Sequence, residues 1–320
     1  MFFKKMMLWI LMISIMMAIS SNMWFVYWLL MEINLMAFIP LMNNYKMKNY
    51  LCMIIYFVIQ SFSSSLFFLA SFLFSLNESL LFLNILNIAM LIKLSIIPFH
   101  FWILLISESL DYFPLFILLT MQKIIPLLII EKFMSNLSLY FVLFSTIMSS
   151  LLMMKLKLFK KVLILSSISH LGWILTMIFL KINFWMTYLI IYTFIINSLI
   201  KICQNYNILS MKHMTMMKIS SKIKFYFLTN ILSLGGMPPF LGFFMKAMSI
   251  LMMMKYTTIF IFILILSSLM NLFIYIRIMT PFFFLSLKNI KNVFLNFKFN
   301  FFFLKVNLIM LMFMLNMFAM

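Results

Sequence analysis

Apolar runs long enough to cross a lipid bilayer follow one another along this chain with little between them, and that pattern constrains the fold more than any single motif. A helix needs about 20 apolar residues to traverse the hydrocarbon. Reading for runs of that length between polar or charged breaks gives eleven crossings. They begin near Met6, Trp24, Tyr50, Ser79, Tyr112, Leu137, Val162, Phe184, Phe225, Thr258 and Phe303. The runs are continuous rather than alternating with period two, so their backbone groups must be satisfied within helices and not around a barrel. The expected fold is an all-α polytopic membrane protein, one transmembrane domain over 1–320.

Composition closes the soluble alternatives. Hydrophobic residues make up 67% of the chain and charged residues 9%, whereas a soluble domain carries about a quarter charged residues. The net charge of +19 does not mark a nucleic-acid partner. The lysines fall in the short gaps between apolar runs, where snorkelling and the positive-inside bias account for them. The run over 6–20 follows Lys4 and Lys5 like a signal peptide, but it lacks a small-x-small cleavage pattern and the next run follows almost at once. It reads as a retained first crossing. Excess Phe, Met, Ile, Lys, Asn and Tyr, with little Gly, Ala, Pro or Arg, is the skew of AT-rich codons and suggests an organelle genome. Cys52 and Cys203 stand alone, without metal-ligand or iron–sulfur spacing. No phosphate loop, HExxH or nucleophile elbow is present.

Two crossings are interrupted. The fourth, over 79–106, contains Pro98; the ninth, over 225–254, contains Gly235, Gly236, Pro238 and Pro239. These residues remove backbone hydrogen bonds or admit non-helical angles, so both segments are expected to break inside the membrane. Each break falls on the fourth member of a set of five. This suggests repeats over about 1–134 and 137–280, inverted because the number is odd, followed by a loop and last helix over about 281–320. Two unrelated proline kinks are the plainer reading. Charge placement supports the count: eighteen basic residues, from Lys4 to Lys305, fall on the side of the N-terminus, and three, Lys132, Lys181 and Lys255, on the other. The N-terminus is then expected to face the matrix or cytoplasm.

Four charges remain in mid-membrane: Glu32, Lys93, Lys123 and Lys246. Each costs several kcal/mol if it faces lipid, so it must face protein or a hydrated cavity. A buried lysine next to a group that changes charge can take up and release protons; a static Glu–Lys tie with snorkelled lysines is the bland alternative. His100, just past Pro98, and His170, beside Ser166, Ser167 and Ser169, either line a water-filled path or are satisfied packing residues. Asn84, Asn87 and the serines at 61 and 63–65 either hold water or bind helices together, the latter favoured for the serines.

Several local strings together resemble one family. Residues 30–35 read LMEINL, 93–102 KLSIIPFHFW, 122–126 QKIIP, 166–173 SSISHLGW and 232–246 LSLGGMPPFLGFFMK. In this order they are similar to subunit 2 of mitochondrial NADH dehydrogenase, an antiporter-like membrane subunit of respiratory complex I, in its shortened animal, insect-like form. The resemblance implies that Glu32 and Lys93 form the polar pair of one half-channel, that Lys123 is the central relay and that Lys246 passes the proton outward; His170 and His100, read from the residues, are expected to join this relay. It implies proton translocation across the mitochondrial inner membrane, with the N-terminus in the matrix and the C-terminus in the intermembrane space. Its partners would be other membrane-arm subunits and membrane lipids such as cardiolipin, with no nucleic acid. No cofactor is expected in this chain; NADH, FMN, iron–sulfur clusters and ubiquinone belong to other subunits. A stand-alone cation/proton antiporter and a structural scaffold are the rival readings. The chain is somewhat short, and its loop between the tenth and eleventh crossings is rich in Lys and Asn, so contacts made there by relatives do not carry over.

Overall fold

The computed structural model describes residues 2–43, 47–208, 210, 221–238, 240–256 and 258–287. The eleventh crossing near Phe303, Pro239, His213 and the basic residues Lys46, Lys212, Lys218, Lys288, Lys291, Lys298 and Lys305 lie outside the described residues. Within them the chain is helical, with one isolated bridge between Leu158 and Ser210, and ten of the expected crossings are present. The first three are α1 (Phe2–Ser20), α2 (Trp24–Met42) and α3 (Met47–Leu76). The fourth is split into α4 (Leu80–Lys93) and α5 (Phe101–Ser109). The fifth runs from α6 (Tyr112–Leu119) through a 3-10 turn (Met121–Lys123) into α7 (Ile124–Phe133). Then come α8 (Asn136–Met153), α9 (Phe159–Phe179) and α10 (Trp185–Asn205). The ninth is split into α11 (Ser221–Gly235) and α12 (Leu241–Met253), and the tenth is α13 (Thr258–Leu287).

The two breaks are built alike. At the end of α4, Ser95 N–H bonds the Ile92 carbonyl and Ile96 N–H the Leu91 carbonyl. At the end of α11, Gly236 N–H bonds the Ser233 carbonyl and Met237 N–H the Leu232 carbonyl. This pair of bonds is the Schellman stop, which needs a left-handed residue at its turn; Ser95 has φ 56° and Gly236 φ 80°. Pro98 accounts for the position of the first stop, since its ring excludes a helical carbonyl four residues earlier, at Leu94. The fifth crossing, expected to be continuous, is also interrupted. Pro126 offers no N–H to the Gln122 carbonyl, and the chain tightens into a 3-10 turn ahead of it.

The core gathers around α9, which packs against α5, α7, α8, α10, α12 and α13. It is 94% buried over its membrane-length stretch, enclosed on every side as a helix at the centre of a bundle is. The other long crossings bury between 22% and 72% of theirs, leaving large side chains such as Trp9, Leu80, Phe101 and Ile259 exposed for lipid or neighbouring chains. Loop contacts join ends that the crossing count puts on one side. Lys4 donates to the Asn43 carbonyl, Lys161 pairs with Glu108 and Tyr112 donates to the Ile208 carbonyl. On the opposite side, Lys132 donates to the Ser21 carbonyl and to Asn22, and Trp185 donates to Glu131.

The two halves of the ninth crossing approach so closely that a Cβ on Gly242 would lie 1.5 Å from the Ser233 carbonyl oxygen. Backbone cannot swing aside as a side chain can. Gly242→Ala is therefore expected to cost about 1–3 kcal/mol by overpacking, read as a lower thermal midpoint of the detergent-extracted protein. Gly172→Ala, whose nearest obstacle is the rotatable Thr146 methyl at 1.9 Å, is expected to cost less.

Candidate functional site

Each of the three mid-membrane lysines sits at a place where a helix stops. Lys93 is the last residue of α4. Lys123 closes the 3-10 turn inside the fifth crossing and is 5% exposed. Lys246, 7% exposed, reaches back from α12 to donate to the Gly235 carbonyl at 2.8 Å, the last residue of α11. The negative end of a helix dipole suits an ammonium group at Lys93 and at Lys246, whereas Lys123 directly precedes α7 and its Nζ approaches a carbonyl of another helix, Ser167 of α9. Gly236 is required beside Lys246: besides its positive φ, a Cβ there would lie 2.9 Å from the lysine Nζ.

Glu32, half-buried on α2, accepts a hydrogen bond from Ser64 on α3. It interacts electrostatically with Lys93 but forms no ion pair with it within 4.0 Å. A polar clamp crosses the neighbouring space. Gln122 Nε2 donates to Asn34 Oδ1 at 3.0 Å, and Tyr56 Oη donates to Gln122 Oε1 at 3.3 Å. Two cavities flank this clamp, each about 10 Å³, the space of roughly one water. One is bounded by Asn34, Tyr56, Gln60, Lys93 and Gln122. The other touches both Lys93 and Lys123, with Tyr56, Gln60, Trp102 and Gln122.

From Lys123 the row continues into α9. Its Nζ lies 3.5 Å from the Ser167 carbonyl and 6.0 Å from the Tyr192 ring centroid. A third cavity of about 10 Å³ joins Lys123 to Ser167, His170 and Tyr192. His170 is 4% exposed; its Nδ1 meets the Tyr188 hydroxyl at 2.8 Å. The ring also hydrogen bonds to the backbone of Leu234 in the last turn of α11, and interacts electrostatically with both Lys123 and Lys246. His170 thus stands between the second lysine and the third.

His100 lies apart. It is buried in the first break, its Nδ1 3.3 Å from the Pro98 carbonyl and its ring packed on Phe101, and it is not among the residues lining the three cavities. Asn87 binds helices together, donating to the Leu83 and Phe133 carbonyls. The serines at 61, 63 and 65 bond their own helix, and only Ser64 also reaches the site. Sequence reasoning singled out Glu32, the three lysines and His170, and passed over Tyr56, Gln60, Trp102, Tyr188 and Tyr192. Uncharged polar residues stand out little in an apolar helix, although Gln60 in mid-span was a signal in its own right.

Residues 21–271 match the family described as NADH:quinone oxidoreductase/Mrp antiporter, transmembrane. The NADH-ubiquinone oxidoreductase chain 2 of Rhipicephalus sanguineus is 54% identical over 313 residues, covering 98% of this chain and 100% of the relative. That of Anopheles gambiae is 34% identical over 84% of this chain and 82% of its own length. Among solved structures, a chain of respiratory complex I from Thermus thermophilus with bound aureothin superposes with TM-score 0.79 at 16% identity, covering 88% of this chain and 70% of that one. A chain of the Mrp complex from Dietzia gives 0.73 at 13% identity, covering 86% of this chain and 59% of its own. These two likenesses show a shared fold. With its sequence matched nearly end to end by one relative and its fold by both complexes, the chain belongs to the NADH-ubiquinone oxidoreductase chain 2 family of antiporter-like membrane proteins.

Proposed function

We propose that this chain is a proton-translocating membrane subunit of NADH:ubiquinone oxidoreductase, respiratory complex I, a multi-pass protein of the mitochondrial inner membrane. It acts as part of that enzyme and conducts protons rather than carrying out redox chemistry. The observation that carries the reading is the row Lys93, Lys123, His170 and Lys246, in which a small cavity with polar side chains joins Lys93 to Lys123, a second, largely apolar one joins Lys123 to His170, and an electrostatic interaction joins His170 to the last. Hydride and electron transfer are assigned to NADH, FMN, iron–sulfur clusters and ubiquinone held by other subunits. The chain's two cysteines lie on separate helices, and Cys52 is engaged by Ser109.

In this reading Glu32 sets the charge state of Lys93. A proton leaving Lys93 is taken by Lys123, passes His170 and reaches Lys246 of α12, whose ammonium rests on the end of α11. Each transfer changes the field at the next site, so the lysines titrate as a coupled set. His100 has a supporting part, holding the first break through Pro98, rather than a place in the row. The interruption of the fourth and of the ninth crossing, each the fourth of a set of five, supports two inverted repeats over about 1–134 and 137–280. The lysine-rich side is assigned to the matrix with the N-terminus, and the C-terminus to the intermembrane space. That basic face suits anionic lipids, including cardiolipin, beside the neighbouring membrane-arm subunits.

The test of this function is Lys123→Met in the assembled complex. The proton-to-electron ratio is expected to fall and coupled turnover to slow by about tenfold or more, with assembly intact, since an apolar side chain replaces a buried charge at little cost in stability. A scaffold would keep the ratio. Glu32→Gln is expected to slow coupled turnover by about fivefold without changing the KM for ubiquinone, because only a long-range charge interaction is removed. The orientation is checked with a membrane-impermeant amine reagent, which is expected to label Lys155 and Lys157 in inside-out vesicles and not in intact mitoplasts.

A further inference from the structure

Beside the cavity between Lys93 and Lys123 lies a hydrogen-bond donor with no acceptor among the described residues. Trp102, on α5 just beyond the first break, lines this cavity and is 6% exposed. Its indole Nε1–H is buried and finds no acceptor among the described residues. A buried, unsatisfied donor bears its full desolvation cost. The ring packs against Tyr56, with centroids 6.0 Å apart. The cavity is about 10 Å³ and also offers Tyr56, Gln60, Gln122 and the two ammonium groups. That is the size and the set of partners one ordered water requires.

We propose that this cavity is a built water site, with Trp102 as its fixed donor, and that the water held there carries the proton between Lys93 and Lys123. The inference rests on the reading of the lysines as a relay. An indole N–H donates only, so it occupies one lone pair of the water and turns both hydrogens away from the ring. The second lone pair accepts from the protonated lysine. One hydrogen then points to the neutral lysine amine and the other to an amide oxygen of Gln60 or Gln122. In the transfer an N–H bond of Lys93 breaks as an O–H bond forms, and another O–H bond of the same water breaks as an N–H bond forms on Lys123. The water is regenerated and no electron is exchanged. Trp102 touches neither lysine's proton directly and is a positioning residue.

Trp102→Phe in the assembled complex keeps an aromatic ring and removes the donor. The expected result is coupled turnover lowered about fivefold to tenfold, the loss of roughly one hydrogen bond, with a lower proton-to-electron ratio and unchanged KM for ubiquinone. A merely structural tryptophan would reduce the amount of complex while leaving the ratio of the remainder intact, and that result overturns the proposal, as does unchanged pumping. If the variant does not assemble, density for the unaltered complex decides. A water about 2.7–3.2 Å from Nε1 supports the site, and a protein acceptor there, or an apolar side chain filling the cavity, overturns it. If Lys123→Met lowers the ratio and Trp102→Phe does not, the water site alone fails; if neither lowers it, the relay reading itself has failed.

Discussion

An ammonium group inside a bilayer must be given acceptors, and in a helical bundle nearly every backbone carbonyl is already engaged. The contact between Lys246 and the Gly235 carbonyl shows how this chain meets that demand. A helix is stopped, carbonyls lose their intrahelical donors, and the charge is placed at the negative end of the dipole. Lys93 at the end of α4 follows the same rule, while Lys123, on the 3-10 turn ahead of α7, turns instead to the Ser167 carbonyl of α9. Interruption of the helix and burial of the charge are one feature. An unbroken crossing would leave these lysines costing several kcal/mol each.

The rest of the arrangement follows from where the stopped helices point. The last turn of α11 meets α9 through the Leu234–His170 hydrogen bond, and Lys123 meets α9 at Ser167. The central helix thereby takes contacts from both halves of the chain and places its imidazole between two lysines. Tyr188 suits that position because a hydroxyl both donates and accepts, so it can serve a neutral or a charged ring. On the other side of Lys123 the Asn34–Gln122–Tyr56 clamp ties α2 and α3 to the fifth crossing and separates two single-water cavities. The row is thus neither a continuous channel nor a packed core. It is a series of polar stations, with one-water cavities between Lys93 and Lys123 and between Lys123 and His170.

Much of this was legible in the sequence, for identifiable reasons. Spans of about 20 apolar residues and the sidedness of lysines are physical necessities of a bilayer, and ten crossings stand where those constraints put them. Pro98 and the Gly235–Gly236 pair announced the two breaks because proline and glycine act on the backbone locally. The interruption at Lys123 was not foreseen. Pro126 sits within the first turn of α7, a position where proline is ordinarily harmless, and only the lysine on the turn ahead of it gives the interruption significance. Ser95 was equally silent, since a serine does not advertise a left-handed angle. Tyr56, Trp102 and Tyr188 were missed because an aromatic residue in a membrane helix is ordinary packing until it is seen to line a cavity or to meet an imidazole. His100, expected in the row for its nearness to Pro98, lies in the break itself, with its Nδ1 3.3 Å from the Pro98 carbonyl.

The central claim, that stopped helices hold the buried lysines in a hydrated row, is tested most directly by a density map of the native complex at a resolution that shows ordered water. The stretch to inspect runs from Lys93 through Lys123 and His170 to Lys246. The account predicts an unbroken series of hydrogen-bond contacts through side chains and single waters, with Lys246 on the Gly235 carbonyl. Apolar side chains packed between Lys123 and His170, or between His170 and Lys246, with no water between them, would contradict it.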